Sequence, residues 1–254
     1  MACDPDAKCD AAAGLYQDWR EGRLVLEDAA EPAQTIVTPG RPELPRLVSP
    51  LEVKHRGLGS TQGRAALVHA LAHIEFNAIN LALDAAYRFR DMPADFYGEW
   101  LKVAAEEACH FTLLRDHLRE SGHDYGDFTA HNGLWDMALK TAHDPLARMG
   151  LVPRLLEARG LDVTPGIRAK LYSAGDHRAA AILDIILADE VGHVGIGNRW
   201  FEFLCQQRGL SPTPAFAALL EAHDTPRPRP PFNRQAREAA GFSAEEMLWL
   251  EQGG

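Results

Sequence analysis

The sequence is poor in cysteine, and the four it has, Cys3, Cys9, Cys109 and Cys205, show no metal-knuckle spacing, so they read as reduced thiols rather than a zinc, iron–sulfur or disulfide frame. Cys3 and Cys9 are expected in a loose N-terminus and Cys109 as a buried core thiol. No basic start is followed by an apolar stretch, and no uninterrupted run approaches the roughly 18 apolar residues that a membrane span needs. The expectation is a soluble, cytoplasmic protein without a membrane partner. Positive charge is also scarce: the formal net charge is −10, which repels polyanions and disfavours nucleic acid and anionic membrane surfaces. No section rich in β-branched alternation is present, so an all-α fold is expected.

What is present is an apolar fraction of 46% in 254 residues, enough for a real core. Residues 1–59, interrupted by prolines at 32, 39, 42, 45 and 50, read as an extended arm with a short helix over Leu15 to Leu26. Residues 60–210 hold four helices of bundle length. The first is Ala65 to Arg90, ended by Pro93, and the second Ala94 to Ser121, ended by Gly122. The third runs from Gly133 to Arg159, broken at Asp144-Pro145 and Pro153 and closed by Gly160; Thr164-Pro165 restarts a helix, and Ala179 to Gln207 is the fourth. Residues 211–254 form a proline-rich linker and a last helix capped by Ser243, with Glu246 three positions on.

Two of these helices carry the same pattern, Glu106-Glu107-Ala108-Cys109-His110 and Asp189-Glu190-Val191-Gly192-His193. Residues three apart on a helix share a face, so Glu107 with His110, and Glu190 with His193, can converge on one metal each. The preceding helix of each pair supplies one more carboxylate on an apolar stripe, Glu75 and Glu157. Glu107 follows Glu75 by 32 positions and Glu190 follows Glu157 by 33, so two helical hairpins repeat in register. Taken singly, each residue is a common surface charge. Together, one Glu from each of two helices and Glu-x-x-His from the other two is the donor set of dimetal carboxylate bundles. Oxygen and imidazole donors suit iron or manganese. Glu106 and Asp189 are placed to orient the histidines, Asp189 with His110 and Glu106 with His193.

These residues, with Ala72-His73-Ile74-Glu75, Thr141-Ala142-His143-Asp144, Leu161-Asp162-Val163-Thr164-Pro165 and the run from Gly192 to Phe201, resemble the ferritin-like di-iron carboxylate superfamily, and within it an uncharacterised bacterial ferritin-like family of unknown function. The resemblance covers about residues 50 to 245. It implies a ferritin-like four-helix bundle, two Fe ions (or two Mn, or mixed Mn/Fe) and oxygen or peroxide chemistry. Pro153, one turn before Glu157, departs from the pattern.

The leading expectation is an oxidase or monooxygenase acting with dioxygen on a small organic substrate, in a small homo-oligomer. No flavin, nicotinamide or iron–sulfur motif is present, so the electron donor is external. Ferroxidase or peroxidase-type metal handling is one alternative. A tRNA-modifying hydroxylase is another, kept open by Arg227, Arg229, Arg234 and Arg237. His69, His73, His143 and His177 are expected in packing or solvent roles, and Trp100 and Phe111 in core packing. Gly192, Gly195 and Gly197 inside a long helix need either close packing or a cavity to compensate for the lost helix propensity.

Overall fold

In the computed structural model, which describes residues 2–26, 33–54 and 56–252, the protein is all-α, and the extended chain makes a single isolated bridge, Leu47 to Ala130, among the described residues. Pro32 lies outside the described residues. The helices are α1 (Pro5–Arg20), α2 (Thr61–Arg88), α3 (Ala94–Glu120), α4 (Gly133–Lys140), α5 (Pro145–Leu151), α6 (Ala158–Ser173), α7 (His177–Gln207), α8 (Pro212–Ala222), α9 (Arg234–Ala239) and α10 (Ala244–Glu251). Contacts divide the chain into two compact units, residues 1–136 with 169–182 and residues 137–168 with 183–254.

In the first unit α2 and α3 form a hairpin and α1 packs on both. Ser60 starts α2 by accepting from the Gly63 amide at 3.1 Å, and Phe76, Ile79, Phe96, Trp100, Phe111 and Leu114 build the core between the helices. Trp100 and Phe111 are therefore packing residues, as expected. α2 is long and apolar enough by length and composition to cross a membrane, although no uninterrupted apolar run is that long; 67% of its most apolar window is buried inside the protein. The first helix differs from expectation: it starts at Pro5, with Asp4 accepting from the Ala7 amide, and ends at Arg20. Proline at the first helical position after an Asp cap is a strong start signal, and it places Cys9 in a helix rather than a loose end. Cys109 is exposed rather than buried. It sits about 100° per residue around α3 from Glu107 and His110, and that rotation carries it off the buried face.

His69 and His73 fasten the loop after α3. His69 Nε2 accepts from the Gly126 amide at 3.0 Å; His73 Nε2 faces the His131 carbonyl at 3.0 Å and its Nδ1 lies 2.8 Å from the Tyr125 hydroxyl. Burial lowers both histidines to about 4, so both are neutral struts.

In the second unit the third helical region is a composite. Asp144 caps α5 and breaks it from α4, as the Asp-Pro pair predicts. Between α5 and α6 the chain widens into a π-helical turn, Val152–Glu157, that contains Pro153. The chain then runs helically through Gly160 and Pro165 to Ser173, so neither the expected stop at Gly160 nor a restart at Thr164-Pro165 occurs. A proline inside a helix leaves the carbonyl four residues earlier without its amide donor. Here that carbonyl, Leu161, accepts from Asn233 Nδ2 at 3.2 Å, so a residue at the α9 cap supplies what Pro165 cannot. α8 and α9 were not foreseen, whereas the Ser243 capping box of α10 was.

Buried arginines bind the C-terminal elements to this composite helix. Arg154, in the π-helical turn, lies against Phe201 and Phe242, donates to Asn198 Oδ1 at 2.7 Å and pairs with Glu246 of α10. Arg237 of α9 grips Asp162 with two bonds of 2.9 and 2.7 Å. Removing one partner of such a buried pair costs about 3–5 kcal/mol.

The glycines of α7 separate by environment. A Cβ on Gly197 would lie 2.3 Å from the Cβ of Pro153, so this glycine exists for close packing against the π-helical turn, while a Cβ on Gly192 would meet nothing within 4 Å. Gly197→Ala should lower stability by about 1–3 kcal/mol through overpacking, and Gly192→Ala should raise it by about 1 kcal/mol through helix propensity. Thermal melts of the two variants check this; equal shifts would contradict the packing assignment.

Candidate metal centre

The first unit gathers three of the six predicted ligands. Glu75 comes from α2, and Glu107 and His110 come from one face of α3. All three are buried, Glu107 and His110 fully. His110 Nδ1 stands 3.3 Å from a carboxylate oxygen of Glu75 and 3.3 Å from one of Glu107. Donor atoms of the three residues lie within 4.8 Å of one another. This cluster has the ligand types, the burial and the spacing to hold a metal ion.

Its electrostatics follow from that placement. Burial alone would push the imidazole toward neutrality, but Glu107 and Glu75 outweigh it and hold His110 at about 11. At neutral pH the metal-free cluster is thus an imidazolium between two carboxylates. A proton occupies the place where a cation is most stabilised, and a divalent ion ligated by the same atoms would take that place.

The second unit carries the equivalent set on the composite helix and α7. His193 is buried and its Nδ1 lies 3.9 Å from a carboxylate oxygen of Glu190. Glu157 is the last residue of the π-helical turn and is half-buried. Such turns rotate the residues that follow them relative to a regular helix. Pro153 therefore does not interrupt the element that bears Glu157; both residues belong to the same turn. Glu106 and Asp189, expected to orient the histidines, are half-buried, and Glu106 lies 3.3 Å from Lys102.

Among the other histidines, His143 and His177 are exposed; His143 stacks with His223 at 6.2 Å and His177 meets Tyr172 edge-on at 4.4 Å, both ring contacts at the surface. The sequence reading missed Tyr125. Its ring packs on Phe76 and Phe111, the residues next to Glu75 and His110, with ring centroids 5.3 and 5.0 Å away, and burial raises its phenol. It lies in an irregular loop where no helical period marks a facing side chain.

The structure defines an all-α protein with a buried Glu and His cluster that could hold a metal ion. The chain belongs to the family described as "Protein of unknown function (DUF455)", whose model matches residues 1–248. It is 45% identical over 256 residues to a protein of Haemophilus influenzae (strain Rd) described as uncharacterized, covering 97% of this chain and 89% of that one. No solved structure matches.

Metal binding at Glu75, Glu107 and His110 should release the His110 proton, because ligation needs neutral imidazole. Affinity for a divalent ion should therefore rise with pH toward about 11, and the binding heat should depend on the ionisation enthalpy of the buffer. Binding heats identical across buffers would contradict the imidazolium between two carboxylates.

Proposed function

We propose that the protein is a ferritin-like dimetal carboxylate enzyme, an oxidase or monooxygenase that uses dioxygen and an external electron donor on a small organic substrate in the cytoplasm. The observation that carries this reading is the buried His110 held between Glu75 and Glu107, with its sequence equivalents Glu157, Glu190 and His193 in the second unit. Two metals, iron or manganese, would be held by these six residues. Four carboxylates balance the charge of two divalent ions, and the oxygen and imidazole donors match those metals.

When bound, the metals supply the redox chemistry with dioxygen. The chain does the rest. Glu75 and Glu107 neutralise charge in a buried site, and low polarity there strengthens each ligand's hold. His110 and His193 fix the spacing along α3 and α7, and Glu106 and Asp189 orient them.

The alternatives lead to different outcomes. A tRNA substrate would need a free basic surface, but Arg237 is buried on Asp162 and Arg234 is paired with Glu238 and Glu251. A ferroxidase storing iron would assemble as a large cage on a sizing column rather than as a small oligomer.

Glu107→Ala and Glu190→Ala should each remove metal from at least one position without loss of helical circular dichroism. The iron-loaded, anaerobically reduced wild-type protein should develop an oxygen-dependent visible band that both variants lack. Full metal retention in both variants would refute the ligand assignment.

A further inference from the structure

The first unit contains a cavity of about 860 Å³ that the metal centre does not use. It opens to the surface and is lined by α1, by the extended residues 24–26 and 34–39, by parts of α2 and α3, and by Trp135 of α4. Leu15, Trp19, Leu83, Tyr97, Leu101 and Trp135 form much of its wall. The volume lies within the roughly 300–1,000 Å³ of small-molecule sites, which are mostly apolar with a few placed polar groups. Local packing is built around it. Gly98 of α3 lies so close to Trp19 that a Cβ there would stand 2.2 Å from the indole nitrogen, so the ring is seated against bare backbone.

The polar groups at this wall are mostly committed within the protein. Trp135 Nε1 donates to the Val37 carbonyl at 2.9 Å, the Tyr87 hydroxyl accepts from the Gln34 amide at 3.0 Å, and the Tyr97 hydroxyl donates to the Arg90 carbonyl at 2.5 Å. Asp84, the acid lining the cavity among the described residues, is held by Arg88 through bonds of 2.6 and 3.1 Å. Lys8 is different. Among the described residues it is the cation that lines the cavity, it is only 4% exposed, and its ammonium has one hydrogen-bond acceptor, Asn80 Oδ1 at 2.7 Å, and otherwise lies over the Phe76 ring, 5.6 Å from its centroid. An ammonium has three donors, and a buried cation requires an anion or close hydrogen bonding to be stable. Burial lowers the Lys8 pKa, as expected for a cation whose nearest acceptor is neutral.

A second observation is the rim. Leu15, Val25, Leu26, Val37 and Tyr87 are exposed large apolar residues, and all five line this one cavity. Scattered exposed apolar groups need no explanation, but a contiguous set around a cavity marks a surface that binds apolar matter.

We infer that this cavity binds an aliphatic carboxylic acid of the fatty-acid class, with the carboxylate on Lys8 and the chain along the apolar wall. One buried cation in a mostly apolar site whose acid is already paired with Arg88 selects one anionic group on an apolar body, and the committed polar groups leave little for a sugar or nucleotide.

The test is titration calorimetry of the full-length protein with dodecanoate below its micelle concentration, compared with dodecanol and dodecyltrimethylammonium. Dodecanoate should bind saturably, at least about tenfold more tightly than the alcohol, the scale of a hydrogen bond to a charged group. Lys8→Met should remove that preference, and Leu83→Trp should fill the cavity and abolish binding, with folding of each checked by circular dichroism. No saturable dodecanoate binding, equal binding of the alcohol, or unchanged binding in folded Leu83→Trp would overturn the inference. If Lys8→Met does not fold, the head-group comparison on the unaltered protein decides alone.

Discussion

Two carboxylates buried in the α2–α3 hairpin, each 3.3 Å from one imidazole nitrogen, set the terms for the first unit. Glu75 and Glu107 would repel each other across a low-dielectric interior if nothing positive stood between them, and the hairpin would lose more than either residue's packing could return. His110 resolves this in the metal-free chain by holding a proton. The same requirement explains the apolar surroundings, because water admitted beside the carboxylates would weaken both the proton's hold and that of any ion replacing it.

The second unit secures its equivalent residues by other means. The element that carries Glu157 is not a plain helix but α5, a π-helical turn and α6 in succession, and irregular backbone of that kind has to be supported from outside. Arg154 under α10, Gly197 against Pro153, and Asn233 on the Leu161 carbonyl supply that support. The C-terminal elements are thus structural partners of the turn that carries Glu157. This gives a physical role to the residues that follow the long helices, including the buried Arg237 and Asp162 pair.

Much of this was legible in the sequence. The presence of α2, α3 and α7 follows from apolar period, with Pro93 and Gly122 marking ends, and Glu75, Glu107 and His110 stand out by spacing; the Ser60 cap, which starts α2 four residues before the expected Ala65, does not. The composite third helix was not legible, because Gly160 and Pro165 are strong local stop signals that tertiary hydrogen bonds override, and a π-helical turn has no composition of its own. The start of α1 was missed although Asp4-Pro5 is a good cap, since the many prolines downstream dominated the reading of that region. Cys109 was assigned inside from residue type, although its rotation around α3 turns it to solvent. Tyr125 and the Lys8 cavity depend on loop and arm placement, which no periodicity records.

The central claim is that the buried Glu and His residues exist to hold metal. It is tested most directly by elemental analysis of protein purified without added metal and again after anaerobic reconstitution with ferrous iron. The account predicts two iron or manganese ions per chain, as six such ligands require. A chain that stays folded yet takes up no metal after reconstitution would contradict it, and would leave the imidazolium between Glu75 and Glu107 as a charge network serving the fold alone.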